Sequence, residues 1–234
     1  MTSSPKTVAL LLAAGSSHRF GGHKLLAPLH RRPLFTYSLE AFARTPLVYS
    51  ILLVVPHSEE KIFRAIVASS NLEMLGRAIQ FVPGGRTRHE SVCAGLRALD
   101  ESVEFVAIHD AARPLITPEK INHVCSAAHH FGAAALGRPV IETLHRVDQD
   151  GWTEQTLDRR SLWSIQTPQV FRSTDLKRII DSPSLTPKEP SDEASSLLVH
   201  GIKTLLLENH EPNLKVTYQE DLWTAEKLLN SQIT

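Results

Sequence analysis

The sequence has few cysteines, no long apolar run and no signal peptide, the features that are typical of secreted, zinc-binding and membrane proteins. Its two cysteines, Cys93 and Cys125, lie in apolar surroundings without CxxC spacing, which argues against a zinc site or a disulfide framework. The longest apolar run, residues 8–14, is far shorter than the ~20 residues of a membrane helix. Residues 1–6 have neither the length nor the cleavage site of a signal peptide. We therefore expect a cytoplasmic protein with no membrane partner.

An excess of charge of one sign is also missing. The chain has 25 Lys and Arg residues against 25 Asp and Glu residues, so its formal net charge is zero. A neutral chain lacks the positive field of a general nucleic-acid binder, and we expect no nucleic-acid partner. The 42% hydrophobic and 21% charged residues are typical of a globular protein. The 234 residues allow one large domain or two small ones, and we predict a single domain over residues 1–234.

Short apolar runs alternate with helical patterns along the first half of the chain. Strands are predicted at 8–14, 49–55, 79–82 and 105–108, each followed by a helix. The strands are continuously apolar rather than alternating, which indicates burial on both faces. This pattern predicts a Rossmann-like α/β fold, with a mostly parallel sheet covered by helices on both faces.

Residues 140–160 interrupt this rhythm. Apolar and polar residues alternate on both sides of a turn at 148–151, which predicts a protruding β-hairpin arm. Such an arm packs over the site or reaches a partner subunit, unless it is a surface excursion without a role. Beyond it we predict that the strand–helix rhythm resumes at 170–171, followed by a helix near 174–180, a proline-rich loop at 183–190, a helix from Asp192, a strand at 202–207 and a final helix from about Gln219.

Small residues and cations follow the first predicted strand. Ala13, Ala14 and Gly15 let backbone N–H groups approach a ligand, and the nearby Arg19 and Lys24 can neutralise phosphate. The segment is neither a P-loop nor a dinucleotide GxGxxG motif. A tight turn with solvated cations is the alternative.

Ligand-type residues also follow the third and fourth strands. Gly84 and Gly85 again permit close backbone contact, and Ser91 can hydrogen-bond a base or a ribose. The fourth strand leads to Asp110 and Arg113; Asp110 suits Mg²⁺ or a substrate hydroxyl, with a turn cap as the alternative. Ligands of open α/β sheets bind beyond the carboxyl ends of the strands. We therefore predict the site at this edge.

Seven motifs in a fixed order connect these residues to a known family. The sequence resembles the 2-C-methyl-D-erythritol 4-phosphate cytidylyltransferases, which belong to the polyol-phosphate cytidylyltransferases, over residues 8–222. The motifs are LLAAGSSHRF with Lys24, GGRTRHESV, HDAARP, RPVIETLHRV, LDRRSLWSIQTPQVF, SDEAS and NLKVT. The chain departs from the family pattern at Ser17, at His23-Lys24-Leu25, at Arg86 and at Ser191.

The resemblance implies a role for each matching residue. The catalytic residues would be Arg19 and Lys24, which stabilise charge on the triphosphate, and Arg159 and Lys215, which orient the attacking phosphate. The residues cradling CTP would be Ala13, Ala14, Gly15, Gly84, Gly85, Ser91 and Asp110. The polyol-phosphate site would comprise Asp110, Arg113, Thr143, Arg159, Thr167, Ser191 and Lys215. The resemblance also implies a homodimer formed through the arm, in which Thr143 and Arg159 serve the neighbouring subunit.

The implied reaction joins CTP and a polyol phosphate and releases pyrophosphate, in the non-mevalonate route to isoprenoid precursors. Both reactants are anionic, so the chemistry requires positioning and cations rather than a general base. We expect Mg²⁺ as the cofactor, held mainly by the CTP phosphates, with no dedicated protein metal ligands. Three alternatives stay open: ribitol 5-phosphate as the acceptor, uridylyl transfer to a sugar phosphate, and a non-catalytic relative that binds nucleotide.

Overall fold

A seven-stranded sheet forms the centre of the protein in a computed structural model that describes residues 4–15, 19–70, 72–180 and 191–233. The strands are β1 (Thr7–Leu12), β2 (Pro28–Leu29), β3 (Arg32–Pro33), β4 (Val48–Val55), β5 (Ala78–Pro83), β6 (Phe105–Asp110), β7 (Ala133–Pro139), β8 (Leu144–Val147), β9 (Thr153–Leu157), β10 (Trp163–Arg172) and β11 (Leu205–Glu208). The central sheet has the order β11-β7-β10-β6-β1-β4-β5. Only β10 runs antiparallel to its neighbours, and the other pairs are parallel.

Helices connect the strands. They are α1 (Phe35–Ala43), α2 (Glu60–Ser69), α3 (Arg88–Arg97), α4 (Pro118–Phe131), α5 (Ser173–Ile180), α6 (Glu193–Val199) and α7 (Gln219–Ile233). Capping side chains fix two of the helix starts. Thr87 forms a capping box with Glu90 at α3, and Thr117 caps α4 just before Pro118. Both starts lie close to the loops that carry the predicted site residues.

Apolar side chains are packed on both faces of the sheet. Along β1, Ala9 and Leu11 belong to one cluster with Phe35 and Phe42, whereas Val8 and Leu10 belong to a second cluster with α3 and α5 side chains. Successive side chains of a strand point to opposite faces, so both faces of β1 are covered. The predicted mostly parallel sheet with helices on both faces is confirmed.

In the central sheet, the structure adds one strand that the apolar pattern does not reveal, β7, and makes another, β10, much longer than the predicted 170–171; the short pair of β2 and β3 is also absent from the prediction. β7 (AAALGRP) is built largely from alanine, which has weak strand propensity, and forms because β10 and β11 pair with its two edges. In β10, Pro168 falls where the pairing with β7 shifts register between Ile165 and Gln169. Proline is tolerated at such irregularities, but it obscures the strand in the sequence. The predicted loop at 183–190 lies outside the described residues.

The predicted arm is present as an antiparallel hairpin of β8 and β9. Asp148 closes its turn: the carboxylate oxygen Oδ1 accepts hydrogen bonds from the backbone N–H groups of Asp150 at 3.0 Å and Trp152 at 2.9 Å. The hairpin leaves the sheet after β7 and returns to it at β10. In the part of the chain described, no helix combines the length and apolar character needed to cross a membrane.

Candidate active site

The loops that follow β1 and β5 pack closely against each other at the carboxyl ends of these strands. The backbone N–H of Ala13 donates to Val54 O at 2.7 Å, and that of Gly84 donates to Val55 O at 2.8 Å. A Cβ atom on Gly84 would lie 2.2 Å from the Ala14 Cβ, so only glycine fits there. The absence of a side chain at Gly84 therefore allows the two loops to pack together through the Ala14 methyl group.

Ser91 supports these loops from behind. Its side chain is 1% exposed, and its hydroxyl donates to Thr87 O at 2.9 Å and accepts from the N–H of Gly85 at 3.2 Å. From the sequence, we expect this hydroxyl to hydrogen-bond a base or a ribose. In the structure the hydroxyl instead holds the backbone of the glycine loop.

A cavity of about 550 Å³ opens in front of the loops. Six of its lining residues are glycine or alanine, with Pro56 and Phe63 as apolar walls, Lys24 and Arg86 as cations and Glu59 as a carboxylate. This volume lies within the usual range for small-molecule sites, and backbone N–H groups are suitable partners for a base or a phosphate. The predicted residues that line it are Ala13, Ala14, Gly15, Lys24 and Gly85.

A second cavity of about 410 Å³ contains the charge of the site. Among the described residues, one carboxylate, Asp110, and five cations line it: Arg19, Lys24, Arg86, Arg88 and Lys215. Ala14 and Gly15 also line this cavity, as does Lys24 of the first, so the two cavities share a wall. Such a cationic lining favours a polyanion beside the small-residue loop.

Lys24 belongs to both cavities because a short 3₁₀ turn, Lys24–Leu26, presents it there. Leu25 is buried, and Nδ1 of the preceding His23 lies 2.7 Å from Oε1 of Glu59 at the start of α2. Burial and the nearby Lys215 and Arg19 lower the pKa of Lys24 below 10.5, against the opposing effect of Asp110. The unusual His23-Lys24-Leu25 segment thus still places the lysine at the site.

A line of alternating charges crosses the end of β6. Asp110 Oδ2 lies 2.7 Å from Lys215 Nζ, and Asp110 Oδ1 lies 3.2 Å from Arg88 Nε. Arg88 in turn makes two hydrogen bonds to the Glu193 carboxylate, at 2.7 Å and 3.0 Å. We call these four residues, Glu193, Arg88, Asp110 and Lys215, the charge chain.

Burial opposes charge in the charge chain, and pairing compensates for it. Burial alone would raise the pKa of Asp110, but Arg88 and Lys215 outweigh it and hold the pKa well below 3.8. Burial likewise lowers the pKa of Arg88, whereas Glu193 and Asp110 raise it above 12.5. The pKa of Glu193 is raised by burial, and Arg88 offsets part of that rise. Asp110 and Arg88 are therefore ionised at neutral pH.

A third cavity of about 200 Å³ lies on the other side of Asp110. Arg88, Asp110 and Lys215 line it as they line the second cavity, so the charge chain separates the two. Thr167 comes from β10, and Ser191 precedes α6. Arg113, the further cation of this cavity, donates from Nη1 to the backbone oxygen of Asn213 at 2.7 Å.

The structure brings most of the predicted site residues to this edge, but not the two on the arm. Those that line one or more of the three cavities are Ala13, Ala14, Gly15, Arg19, Lys24, Gly85, Asp110, Arg113, Thr167, Ser191 and Lys215. Of the predicted residues that the structure describes, Gly84, Ser91, Thr143 and Arg159 line none of them. Thr143 and Arg159 are exposed at the base of the arm, where Arg159 donates to the backbone oxygen of Ile141.

Four polar residues of the site were not singled out from the sequence: Arg88, Gln169, Glu193 and Asn213. All lie within the recognised motifs. Gln169 Nε2 donates to Asp192 Oδ2 at 2.8 Å, and Asn213 Nδ2 donates to Thr167 O at 2.9 Å. The sequence does contain a signal for Glu193. Asp192 caps the helix, so the acid directly after it is available to pair with a residue elsewhere in the fold.

The fold and the site together indicate a class of protein. A mostly parallel α/β sheet with a small-residue loop and a cationic cavity at its carboxyl edge suits an enzyme that acts on a nucleoside polyphosphate. The family model for IspD, 2-C-methyl-D-erythritol 4-phosphate cytidylyltransferase, matches residues 7–231. The chain belongs to this family of cytidylyltransferases.

Individual relatives agree with the family match. The 2-C-methyl-D-erythritol 4-phosphate cytidylyltransferase of Nostoc sp. is 37% identical over 225 residues, covering 95% of this chain and 97% of its own. That of Syntrophus aciditrophicus is 34% identical, with 97% of each chain covered. The crystal structure of the 4-diphosphocytidyl-2C-methyl-D-erythritol synthase of Anaerococcus prevotii is 25% identical with a TM-score of 0.85, covering 97% of this chain and 100% of its own.

Proposed function

We propose that this enzyme transfers a cytidylyl group from CTP to 2-C-methyl-D-erythritol 4-phosphate, with release of pyrophosphate, in the synthesis of isoprenoid precursors. The observation that carries the proposal is the cationic second cavity, which lies between the small-residue loop and Asp110. A triphosphate in this cavity would have its reacting phosphorus between the first cavity and the third. The family membership supplies the identities of nucleotide and acceptor.

The reaction is an in-line displacement. A phosphate oxygen of the acceptor forms a bond to the α-phosphorus of CTP, while the bond from that phosphorus to the pyrophosphate oxygen breaks. A phosphate monoester is a dianionic nucleophile at neutral pH, so no residue has to remove a proton. Lys24 and Arg19 stabilise the charge that moves onto the leaving pyrophosphate, and Lys215 attracts the acceptor phosphate.

We further propose that Mg²⁺ accompanies CTP. Among the described residues, no group of three or more His, Cys, Asp or Glu side chains is arranged to hold a metal ion. Mg²⁺ commonly binds through one or two carboxylates together with substrate phosphates, and Asp110 lines the second cavity. The CTP phosphates would therefore hold the ion with Asp110 as the protein carboxylate, and the ion would neutralise phosphate charge.

The arm suggests that the site is completed by a second copy of the chain. Thr143 and Arg159, which line none of the three cavities, lie beside large apolar side chains that are exposed. Those of the arm region are Ile141, Val147, Trp152 and Trp163. Burying them against another subunit is favourable, at roughly 25 cal/mol per Å². We propose a homodimer in which each arm delivers Thr143 and Arg159 to the partner's third cavity; the cytoplasmic location stays a prediction.

A substrate panel tests the activity. Purified protein with Mg²⁺ and CTP is offered 2-C-methyl-D-erythritol 4-phosphate or ribitol 5-phosphate, and pyrophosphate release and the product are followed by ³¹P NMR. We expect turnover with the first acceptor, with UTP replacing CTP poorly. Preference for ribitol 5-phosphate would show that this polyol phosphate, and not 2-C-methyl-D-erythritol 4-phosphate, is the acceptor. Tight CTP binding without turnover would favour the non-catalytic alternative and contradict the proposal.

Mixing inactive variants tests the homodimer. Arg159→Ala lacks the arm cation, and Lys24→Ala lacks a cation of the second cavity. If the arm acts on the partner subunit, co-refolding the two variants restores turnover, because some dimers then contain one intact site. Each variant refolded alone is the control. A mixture that stays as inactive as its components would overturn the shared site.

A further inference from the structure

Arg19 is held at the second cavity differently from the paired cations there. Arg88 and Lys215 lie 2.7–3.2 Å from carboxylates of the charge chain. Arg19 makes no ion pair with any residue that the structure describes, and the group beside it is the ring of Tyr218. The guanidinium carbon Cζ lies over this ring, 5.9 Å from its centroid. The position of Arg19 therefore depends on an aromatic contact and on its own loop.

The start of α7 fixes Tyr218 beside the cavity. Asp221 Oδ2, in the first turn of α7, accepts hydrogen bonds from the backbone N–H groups of Thr217 at 2.7 Å and Tyr218 at 2.8 Å. Thr217 itself lines the second cavity. Tyr218 is 46% exposed, so its ring is not needed to fill the apolar core. Its contact with Arg19 is therefore a feature of the site.

The same turn holds the backbone that follows Arg19. Gln219 Nε2 donates to the backbone oxygen of Phe20 at 3.2 Å. Phe20 is 8% exposed and belongs to one apolar cluster with Val216. Gly21 has a φ of +78°, a conformation that favours glycine, so the chain turns sharply directly after Phe20. The loop is thus anchored to the start of α7 by a buried ring and a hydrogen bond.

An aromatic ring suits a cation that has to remain available to a phosphate. A carboxylate partner neutralises a guanidinium, and an incoming phosphate then competes with that carboxylate. The electron-rich face of a ring attracts the guanidinium but carries no net charge. The N–H donors of a guanidinium lie in its plane, so they stay free while one face rests on a ring. Tyr218 can therefore orient Arg19 and leave its charge uncompensated.

We propose that Tyr218 is a positioning residue for Arg19: its ring holds the guanidinium at the second cavity, and Gln219 fixes the backbone beside it. The proposal rests on the proposed function, in which Arg19 stabilises charge on the leaving pyrophosphate. In this role Tyr218 acts only through Arg19. The segment from Lys215 to Gln219 then serves both reactants, since Lys215 attracts the acceptor phosphate at one end and Tyr218 orients Arg19 at the other.

NMR spectra of the intact protein test the contact without substrate. An aromatic ring shifts the signals of protons above its face upfield. We expect such a shift for the side-chain protons of Arg19 in the wild type and in Tyr218→Phe, and its loss in Tyr218→Ala. Arg19→Lys serves only to assign the signals. Unshifted Arg19 signals in the wild type would overturn the proposal.

Kinetics in two backgrounds test the role. Tyr218→Ala should lower kcat about threefold, the size of an exposed cation–π contact, and leave the KM for the acceptor unchanged. Tyr218→Phe keeps the ring and should keep wild-type kcat. In an Arg19→Ala background, neither Tyr218→Ala nor Gln219→Ala should slow the enzyme further. An equal loss in both backgrounds would show that the ring does not act through Arg19, and would overturn the proposal.

α7 carries a matched control for the aromatic contact. Lys227 Nζ lies 3.5 Å from the ring centroid of Trp223, and neither residue lines any of the three cavities. Trp223→Ala should keep wild-type kcat. A fall as large as that of Tyr218→Ala would mean that any loss of an aromatic ring at α7 slows the enzyme, which contradicts a specific role for Tyr218.

The two proposals can fail separately. If the wild type does not turn over CTP with either acceptor, the proposed function fails, and the NMR spectra still decide whether Tyr218 holds Arg19. If the wild type turns over and Arg19→Ala is equally fast, the function stands and the positioning role of Tyr218 is overturned.

Discussion

The two sides of the candidate active site differ in the groups that line them: small residues on one side and long charged side chains on the other. Six glycine and alanine residues line the first cavity, and Gly84, next to one of them, lies against Ala14 with no space for a side chain. The second and third cavities are instead lined by long charged side chains, several of which are paired in the charge chain around Asp110. The first cavity has three charged side chains in its lining, whereas the second has five cations and one carboxylate, and the charge chain itself has two groups of each sign.

The difference shows how each side meets its ligand. Backbone N–H groups are fixed in place, so the loop side can bind a base or phosphate with little rearrangement. In the charge chain, two positive and two negative residues already satisfy one another, so an incoming phosphate competes with Asp110 for Lys215. Binding on this side is an exchange of partners, whereas binding on the loop side fills a cavity.

Lys24 lines a cavity on each side, and its removal should give the largest effect. We expect Lys24→Ala to lower kcat by about 10²–10³-fold, as for the loss of one preorganised donor to a developing negative charge. Exposed Lys61 on α2 is the control, and Lys61→Ala should keep wild-type turnover. Steady-state kinetics with CTP and the acceptor measure both variants. Wild-type turnover in Lys24→Ala would remove the lysine from the mechanism.

The pH profile sharpens this result. The pKa of Lys24 lies below its ordinary 10.5, so its positive charge is lost at lower pH than that of a free lysine. We expect kcat/KM to fall on the basic side of the profile as this group deprotonates. In Lys24→Arg, whose guanidinium stays charged, the fall should move to higher pH. An unchanged profile would assign the fall to another group.

Breaking the charge chain should lower kcat less than the loss of Lys24 does, but it should clearly lower the free energy of unfolding. Asp110→Asn leaves Arg88 and Lys215 without their shared carboxylate, and we expect the free energy of unfolding to fall by about 3 kcal/mol. This is the lower end of the range for a buried pair, because the Lys215 side chain is 39% exposed. Urea unfolding measures the loss. Asp150→Asn, at the exposed arm turn, is the control and should change little.

The sign of the pH dependence follows from the depressed pKa of Asp110. The carboxylate stabilises the fold fully above its unfolded pKa of 3.8, and this contribution is lost as pH falls toward the lower folded value. The stability gap between wild type and Asp110→Asn should therefore be largest near pH 7 and shrink below about pH 4. A gap that stays constant down to pH 3 would show that the charge of Asp110 is not what stabilises the fold.

The loop side should be sensitive to volume instead of charge. Gly84→Ala places a methyl group 2.2 Å from the Ala14 Cβ, which cannot rotate away, and we expect a loss of about 2 kcal/mol in unfolding free energy. Gly15→Ala is the matched control for stability, since nothing lies within 4 Å of its added Cβ. Equal stabilities of the two variants in urea would show that the loops are not closely packed in solution.

The same contrast explains what the sequence predicts and what it does not. Glycine, alanine and a following cation form a local pattern, so Gly15, Gly84 and Lys24 are visible in the sequence, as are the alternating elements of the fold. Arg88 and Glu193 are 105 residues apart, and neither has a local feature that names the other. Likewise, β7 becomes a strand through its neighbours. Pairings over such distances depend on the folded sheet, and local patterns cannot reveal them.

The pair of His23 and Glu59 should give the smallest effect, because it lies at the surface of the loop side. Its Nδ1–Oε1 distance is 2.7 Å, but the His23 side chain is 70% exposed. A double-mutant cycle of His23→Ala and Glu59→Gln should give a coupling of about 0.5 kcal/mol in urea unfolding. The Arg64–Glu60 pair on α2 is a reference of similar exposure and length. A coupling above about 2 kcal/mol would mean that a charged contact holds the Lys24 turn as firmly as pairing holds Asp110, and the contrast between the two sides would no longer stand.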